Sequence, residues 1–502
     1  MYKIVIANFK QTSNNNNNNN NKMKKTLLIL TLIPTICFGQ WNQKGNDIDG
    51  VQANERSGSA IGINASGEIV IVGARNNSTN GTASGQARVF EWSGTSWTQK
   101  GSLINGDIGG DNLGKSVAIN DSGNIIALGA PAFLSSPITA GYAKVFQWNG
   151  SDWSQLGSTF NGTTSDDSYG TSISLNASGS IVAIAAEANP GSSYIRVFEW
   201  NGSVWNQLGT DIMGTSTPQD GFGRTIQLNA SGTVLVVGAT NFDGSDNMNG
   251  LLRVYEWNGT SWVQKGSDLI GDAELDNFGA GVTVNDDGTI IAAGARATLN
   301  ASKGYLKIFE WNGTDWIQKG NTIWGNDADF FGDENDLNSA GDIIIAGTVL
   351  GEYAKILKFD GINWLELDSI PGEAPADQFG SAVCINYSGS TVSIGAFGND
   401  AGGNQSGHVR VFENSTILSV EYMNEFNELK FYPNPTYNFI QITSGSDVFS
   451  YSITTFDGKE IRSNRQFQGK EFSIDFSELS VGIYFLTLQT KDKIISTKII
   501  KN

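Results

Sequence analysis

The chain has 502 residues, with 61 glycines but 9 prolines, 13 tryptophans and 26 phenylalanines. This is the composition of a turn-rich β protein with a real core, and it excludes a disordered chain. The formal charge is −18; residues 1–39 carry five lysines and no acid, which leaves −23 from Gln40 onward, an anionic surface that repels phosphate backbones and excludes nucleic acid as a partner.

Residues 1–22 end in an Asn tract with no core-forming content and read as a low-complexity extension without a function of its own. From Met23 the run "MKKTLLILTLIPTICFGQ" has a Lys24–Lys25 n-region, an apolar stretch and Gly39 at its end. That is a signal peptide over 23–39, with Gln40 as the first residue of the exported chain. A lipoprotein would use Cys37, but Ile36 stands where a small residue is expected. The remaining cysteine, Cys384, then has no partner for a disulfide and reads as a passive strand residue. No later apolar run is long enough to span a bilayer.

Internal repetition decides the fold. "QWNQKGN" at 40–46 returns as "SWTQKGS", "DWSQLGS", "VWNQLGT", "SWVQKGS" and "DWIQKGN". The marker tryptophan falls at Trp41, Trp97, Trp153, Trp205, Trp262, Trp316 and, more loosely, Trp364. Each unit of roughly fifty residues holds four β-type runs bounded by turn residues, with no competing helical period. Four strands per unit imply a β-propeller over 40–414, with seven blades. The first copy lacks three strands and the last, ending at "HVRVFEN" (408–414), lacks its W-x-Q-x-G strand. Seven blades come out whole only if residues 41–45 join residues 379–414 as the fourth strand of one shared blade.

Every unit carries Asn-x-x-Gly after its first strand, from Asn64/Gly67 to Asn386/Gly389, the pattern of a type I turn closing a hairpin. A second short turn, often Asn-Gly, precedes W-x-Q-x-G. Alternate connections of an up-and-down sheet lie on one side, so these tight turns share one face of the disc. The long connections, such as 75–85, 131–141, 240–250 and 397–407, share the other, where binding function usually lives.

The pairs Phe222–Gly223, Phe278–Gly279, Phe331–Gly332 and Phe379–Gly380, followed by Gly-Ala and once by the full Gly129–Ala130–Pro131, resemble the FG-GAP repeats of integrin α-subunit propellers and their bacterial relatives. The resemblance covers residues 41–414 and implies a binding protein for protein or carbohydrate. It also implies Ca²⁺ in D-x-D-x-D-G loops. The matching turns here read "NASG", "NDSG" or "NDDG" and lack those spaced carboxylates, so no cofactor is expected.

After a linker over 415–429, "FYPNPTYNFIQI" (431–442), "TTFDGKEI" (454–461) and "IDFSELSVGIYFLTL" (474–488) resemble the type A sorting domain of the type IX secretion system in Bacteroidetes. The resemblance covers 430–502. Pro433, Asn434 and Pro435 open the domain, Gly458 makes a hairpin turn and Gly482 begins the penultimate strand. The alternation suggests a small β-sandwich. The resemblance implies a tail read by the outer-membrane secretion machinery, with release from the cell or anchoring at its surface.

One acid recurs in all seven units, three residues before the glycine of the first strand: Glu55, Asp111, Asp167, Asp220, Asp276, Asp329 and Asp377. It reads either as an anionic rim for a cation or basic partner, or as a turn whose carboxylate accepts backbone N–H bonds. Trp324 and Phe330, in "IWGNDADFFG" (323–332), are loop aromatics that stack on a sugar or plug the channel. His408 is the only histidine, so no His-based metal cluster is expected, and it aligns with Gln86 and Tyr142 as a residue that opens a strand. No nucleophile elbow, phosphate loop or H-E-x-x-H appears. No Asp or Glu stands out in an apolar setting that would raise its pKa. The sequence therefore predicts an exported, non-enzymatic binding propeller without a metal; the alternative is a glycan-active enzyme or accessory module using loop-face carboxylates.

Overall fold

A computed structural model describes residues 41–133, 139–165, 167–187, 193–214, 220–243, 247–414, 430–432, 436, 438–455, 459–464, 469–490 and 494–501. The low-complexity and signal segments, the linker, Pro433, Asn434, Pro435 and Gly458 lie outside the described residues. Among the described residues every regular element is a β-strand, and the fold is all-β and propeller-like.

Between residues 41 and 414 the strands form seven antiparallel sheets. One runs from Phe222–Leu228 through Val234–Ala239 and Leu251–Trp257 to Trp262–Gln264. Past Gly266 the chain turns back, and Leu269–Ile270 pairs again with the third strand. The second strand, "VLVVGA", is buried at every position, because both of its faces pack against neighbouring sheets. The third strand alternates at its outer end, where Glu256 is exposed beside the buried Tyr255.

The sheet of Phe379–Ile385, Thr391–Ala396 and His408–Glu413 takes its outer strand from the front of the chain. Asn42 pairs with Glu413 and Gln43 with Phe412, then Ile48 with Val409 and Asp49 with His408. Trp41 and Phe412 share one buried cluster. The seven innermost strands pack on one another in a closed cycle, Ser57–Ile63 meeting both Ser116–Ile119 and Phe379–Ile385.

Repeated residues make the contacts between sheets. The turn asparagine is buried in all seven units; Asn64 Oδ1, for example, accepts from Ile69 N at 2.9 Å while Gly67 N donates to Asn64 O at 2.9 Å. The next residue donates its N–H to the carbonyl of its counterpart in the neighbouring unit. The series runs Ala65→Asp121→Ala177→Ala230→Asp286→Ser339→Tyr387→Ala65, at 3.0 to 3.3 Å, and returns to its start. Each marker indole reaches across as well: Trp97 Nε1 donates to Lys44 O at 2.7 Å, and Trp153 Nε1 to Lys100 O at 2.8 Å. The exception is Trp41, whose buried Nε1 has no partner among the described residues. Its neighbour unit departs from the pattern, with "WLELDSIP" (364–371) and a register shift in place of W-x-Q-x-G.

In six of the seven units a glycine near the end of the second strand faces the first-strand glycine of the next unit. A Cβ on Gly294 would stand 1.7 Å from Gly332 O, and one on Gly395 would stand 2.2 Å from Gly58 O. In one unit Ala185 occupies this position, opposite Gly223.

Residues 430–501 form a separate antiparallel network centred on Phe439–Thr455. Its first half pairs with Lys430–Tyr432 and Gly469–Asp475. Its second half pairs with Glu460–Asn464 and Gly482–Thr490, and the latter with Ile494–Lys501. Ile440, Ile442, Ile453, Phe476, Leu486 and Ile499 make its core, and Gly482 stands opposite Lys501.

Gly294→Ala is expected to destabilise the protein by about 1 to 3 kcal/mol through overpacking against the next unit. Ala185→Gly removes a methyl group and is expected to cost about 1 kcal/mol or less. Urea unfolding of the two variants checks the order; equal losses would refute the assigned contact.

Candidate functional site

The innermost strands line a central cavity of about 280 Å³. Six of the seven strands present Ile61, Val117, Ile173, Ile226, Val282 and Val383 to it. The seventh, Asn335–Leu337, presents Glu334, Asn335 and Asp336 instead. A second cavity of about 140 Å³ lies at the tight-turn end, beside Asp121, Asp286 and Asp336.

Asp336 joins the strands that surround it. Its Oδ1 accepts from Thr283 Oγ1 at 3.2 Å and Gln227 Nε2 at 3.3 Å, and its Oδ2 accepts from Ile385 N at 3.0 Å. Burial raises its pKa to about 6 against those bonds. Burial, then Asp286, push Asp121 up to about 6, and burial, with Asp287 adding to it, holds Asp286 above the usual carboxylate range. Cys384 Sγ donates to Ile61 O at 3.2 Å. Burial first, then Asp336 and Glu334, push this thiol well up, the reverse of what a nucleophile needs.

The other end of the channel is where second strands finish and first strands begin, and charge gathers there. Arg296 forks onto Asp333 at 2.7 and 3.1 Å. Arg224 lies 3.7 Å from Glu187. The Lys115 ammonium makes no hydrogen bond or ion pair within the described residues; burial, then Arg75 and Arg224, push its pKa down to about 8. Burial, then Asp333, raise Glu334 to about 8. Arg56 and Arg75 flank the ring of Phe397 at 5.5 and 5.9 Å.

Glu334 corrects the expectation that no acid stands in a setting that raises its pKa. The signal was present in "FFGDENDLN" (330–338), where one unit carries Asp333, Glu334 and Asp336 at positions that no other unit fills with an acid. Lys115 and Arg224, each directly after the strand glycine, were legible in the same way.

The seven recurrent acids are buried without exception. Asp111 Oδ2 accepts from Asp107 N at 2.8 Å, Ile108 N at 2.9 Å and Tyr142 Oη at 2.9 Å. Asp167 has the same bonds with Thr163 N, Thr164 N and Tyr194 Oη. Asp276 and Asp329 are likewise held by a loop N–H and by Tyr305 and Tyr353. Glu55 accepts from Val51 N and Asn77 Nδ2, Asp220 from Phe222 N, and Asp377 from Asn399 Nδ2. Of the two readings, this geometry fits the turn. The residue after each acid, Arg56 to Gln378, holds a positive φ between 50° and 71°, and the carboxylate bonds pin that left-handed step.

Trp324 and Phe330 separate. Trp324 lies on an outer strand, 44% exposed, with its ring 5.0 Å from Tyr305. Phe330 is half-buried in the loop that precedes the inner strand Asn335–Leu337, with φ 50°.

Residues 430–502 match the family described as "Secretion system C-terminal sorting domain". This tail implies handling by the type IX secretion machinery and export to the cell surface or the extracellular space. No helix among the described residues is long and apolar enough to cross a membrane. No curated protein matches the sequence. Three solved structures resemble the fold at low identity. Hydrazine synthase from Kuenenia stuttgartiensis has a TM-score of 0.49 at 11% identity, over 74% of this chain and 97% of that one. The Cps50 (Swd1) β-propeller domain from Myceliophteria thermophila has 0.49 at 10%, over 74% and 99%. Raptor from Chaetomium thermophilum has 0.48 at 11%, over 75% of this chain and 29% of its own.

Cys384 is expected to react with iodoacetamide at pH 8 at least about tenfold more slowly in the native protein than in guanidinium, because the raised pKa and the narrow channel both withhold thiolate. Equal rates in the two conditions would refute its placement.

Proposed function

We propose that residues 41–414 are a seven-bladed propeller of the FG-GAP kind, released from a signal peptide. The tail is a small sandwich that commits the chain to type IX export. The exported protein is a secreted or surface-displayed binding or adhesion module, without enzymatic activity, that recognises protein or glycan through its long-loop face. One observation carries this reading: Arg75, Lys115 and Arg224 converge at the long-loop end of the channel in a chain whose remaining surface is strongly acidic.

A local cationic seat in an anionic protein selects a ligand that brings its own negative group. Lys115, with no partner of its own, holds the position where a carboxylate or sulfate of that ligand sits. The apolar ring of Phe397 between two arginines suits the face of a sugar, so an acidic glycan fits the seat best. Glu334 keeps the enzymatic alternative open on a specific ground, since a carboxyl group with a pKa of about 8 is protonated near neutrality, as a general acid must be.

Retention on alginate, hyaluronan and chondroitin sulfate, with neutral polysaccharides as controls and release of reducing ends read in parallel, separates the two readings. Retention on acidic glycans without products is the expected outcome; products would overturn the binding reading in favour of the enzyme.

Binding is also expected to depend on pH. Below about 8 Lys115 is cationic and Glu334 neutral. Raising the pH through that value removes a positive charge and adds a negative one, so anion capture falls. A Lys115→Gln variant is expected to bind about tenfold more weakly at pH 7, about 1.4 kcal/mol, and to keep only the part of the pH dependence that Glu334 contributes. Unchanged retention between pH 7 and 9 in the wild type would refute the seat.

A further inference from the structure

The ring closes through a pairing that places three metal-ligating side chains together. Asp49 stands directly opposite His408 in the antiparallel pair, and Asp47, two residues earlier, lies on the same face. One ligand atom from each of Asp47, Asp49 and His408 lies within 4.8 Å of the others. His408 is 1% exposed, and neither of its ring nitrogens has a hydrogen-bond partner. Its Nδ1 lies 3.5 Å from Asp47 Oδ2. A fully buried imidazole with both nitrogens unspent, aimed at two carboxylates, is an incomplete coordination set rather than a packed core residue.

Other units use the same positions differently. Tyr142, Tyr194, Tyr305 and Tyr353 occupy the place of His408 and donate to the recurrent acid of their own unit. In the closing sheet that acid, Asp377, is served by Asn399, so His408 is released from the task. Opposite the aromatics stand Asn161, Met213, Trp324 and Pro371; a carboxylate stands there only at Asp49.

We propose that Asp47, Asp49 and His408 bind one first-row transition dication of the Zn²⁺ class, which clamps the front strand of the chain to its last propeller strand. One imidazole with two carboxylates suits such an ion and falls short of the six to eight oxygens that Ca²⁺ takes. The neighbouring cations are engaged elsewhere. Arg410 donates to Gln43 Oε1 at 2.6 and 3.1 Å, although its Nε lies 3.6 Å from Asp47 Oδ1. Arg88 donates to Ser57 Oγ at 2.7 Å. Glu373, 3.5 Å from Arg410, adds a further carboxylate to the surroundings. Asp49 is exposed, which gives the ion a way in. A single histidine is enough, because this set needs only one.

The test is equilibrium dialysis of the full-length chain against ZnCl₂ in metal-free buffer, with thermal unfolding alongside. One Zn²⁺ per chain is expected, with a rise in unfolding temperature that CaCl₂ does not reproduce. Asp49→Asn and His408→Gln are each expected to weaken binding at least about tenfold and to abolish the rise. Asp49 is at the surface, so its variant folds whether or not the histidine variant does. Co²⁺ is expected to give visible ligand-field bands in the wild type that His408→Gln removes. Absence of saturable Zn²⁺ binding in the wild type, or retention of it by both variants, would overturn the site.

Discussion

The closed series of main-chain hydrogen bonds from Ala65 round to Tyr387 and back is the constraint on which the rest of the propeller depends. A single sheet here is apolar on both faces and buries them only against its neighbours. A row of such sheets with two ends would leave two faces and two strand edges in water. The ring removes the ends, and the paired glycines at the sheet interfaces set how tightly it draws in. With carbonyl oxygen placed where a Cβ would be, as between Gly294 and Gly332, adjacent sheets come into backbone contact near the axis.

That tight interior makes the charges of the channel informative. Six inner strands line it with uncharged side chains, among them Ile61, Val117, Ser174, Gln227 and Val383. Lys115, Glu334 and Asp336 each give up hydration, and the shifts in their pKa values record the cost. Asp336 recovers part of it by tying together strands from three other sheets, so it has a structural role. Lys115 recovers nothing through a direct contact. On the binding reading proposed above, such a group is kept for a partner from outside the chain.

The repeat pattern made the architecture readable because each repeated residue does one local job. The tryptophan spacing, the asparagine turns and the incomplete first and last copies each correspond to a contact that recurs between units. The short strand that folds back after W-x-Q-x-G, as at Leu269–Ile270, was not legible, since two residues carry no period. The channel was legible only in part. "DEND" at 333–336 departs visibly from its counterparts, but nothing in the linear order tells that Lys115 and Glu334, from different sheets, act on one another. The recurrent acids were visible in the sequence without their surroundings, and the tyrosines that bury four of them lie a whole strand away. His408 aligned with residues of ordinary strands; what sets it apart is its partner across the seam, supplied from the other end of the propeller.

The seam itself is the least secured of the interfaces. Its side-chain contacts join residues as far apart as Gln43 and Arg410, 367 positions along the chain, so closure carries the largest loop entropy of any contact in the ring. The closure also lacks one tie that the other junctions have, because Trp41 Nε1 finds no acceptor where six other marker indoles donate across. Until residues 408–413 are in place the front strand has nothing to pair with, and the ring keeps an open edge. Arg410 compensates in part by holding Gln43 across the pairing, while Lys44 bonds Glu68 at 2.7 Å and lies over the rings of Trp92 and Trp97, as Lys100 and Lys265 lie over tryptophans of the sheets next to theirs. Asp47, Asp49 and His408 gather at the one interface where local sequence cannot bring the two strands together, and a ligand bound across it would act where the ring is weakest.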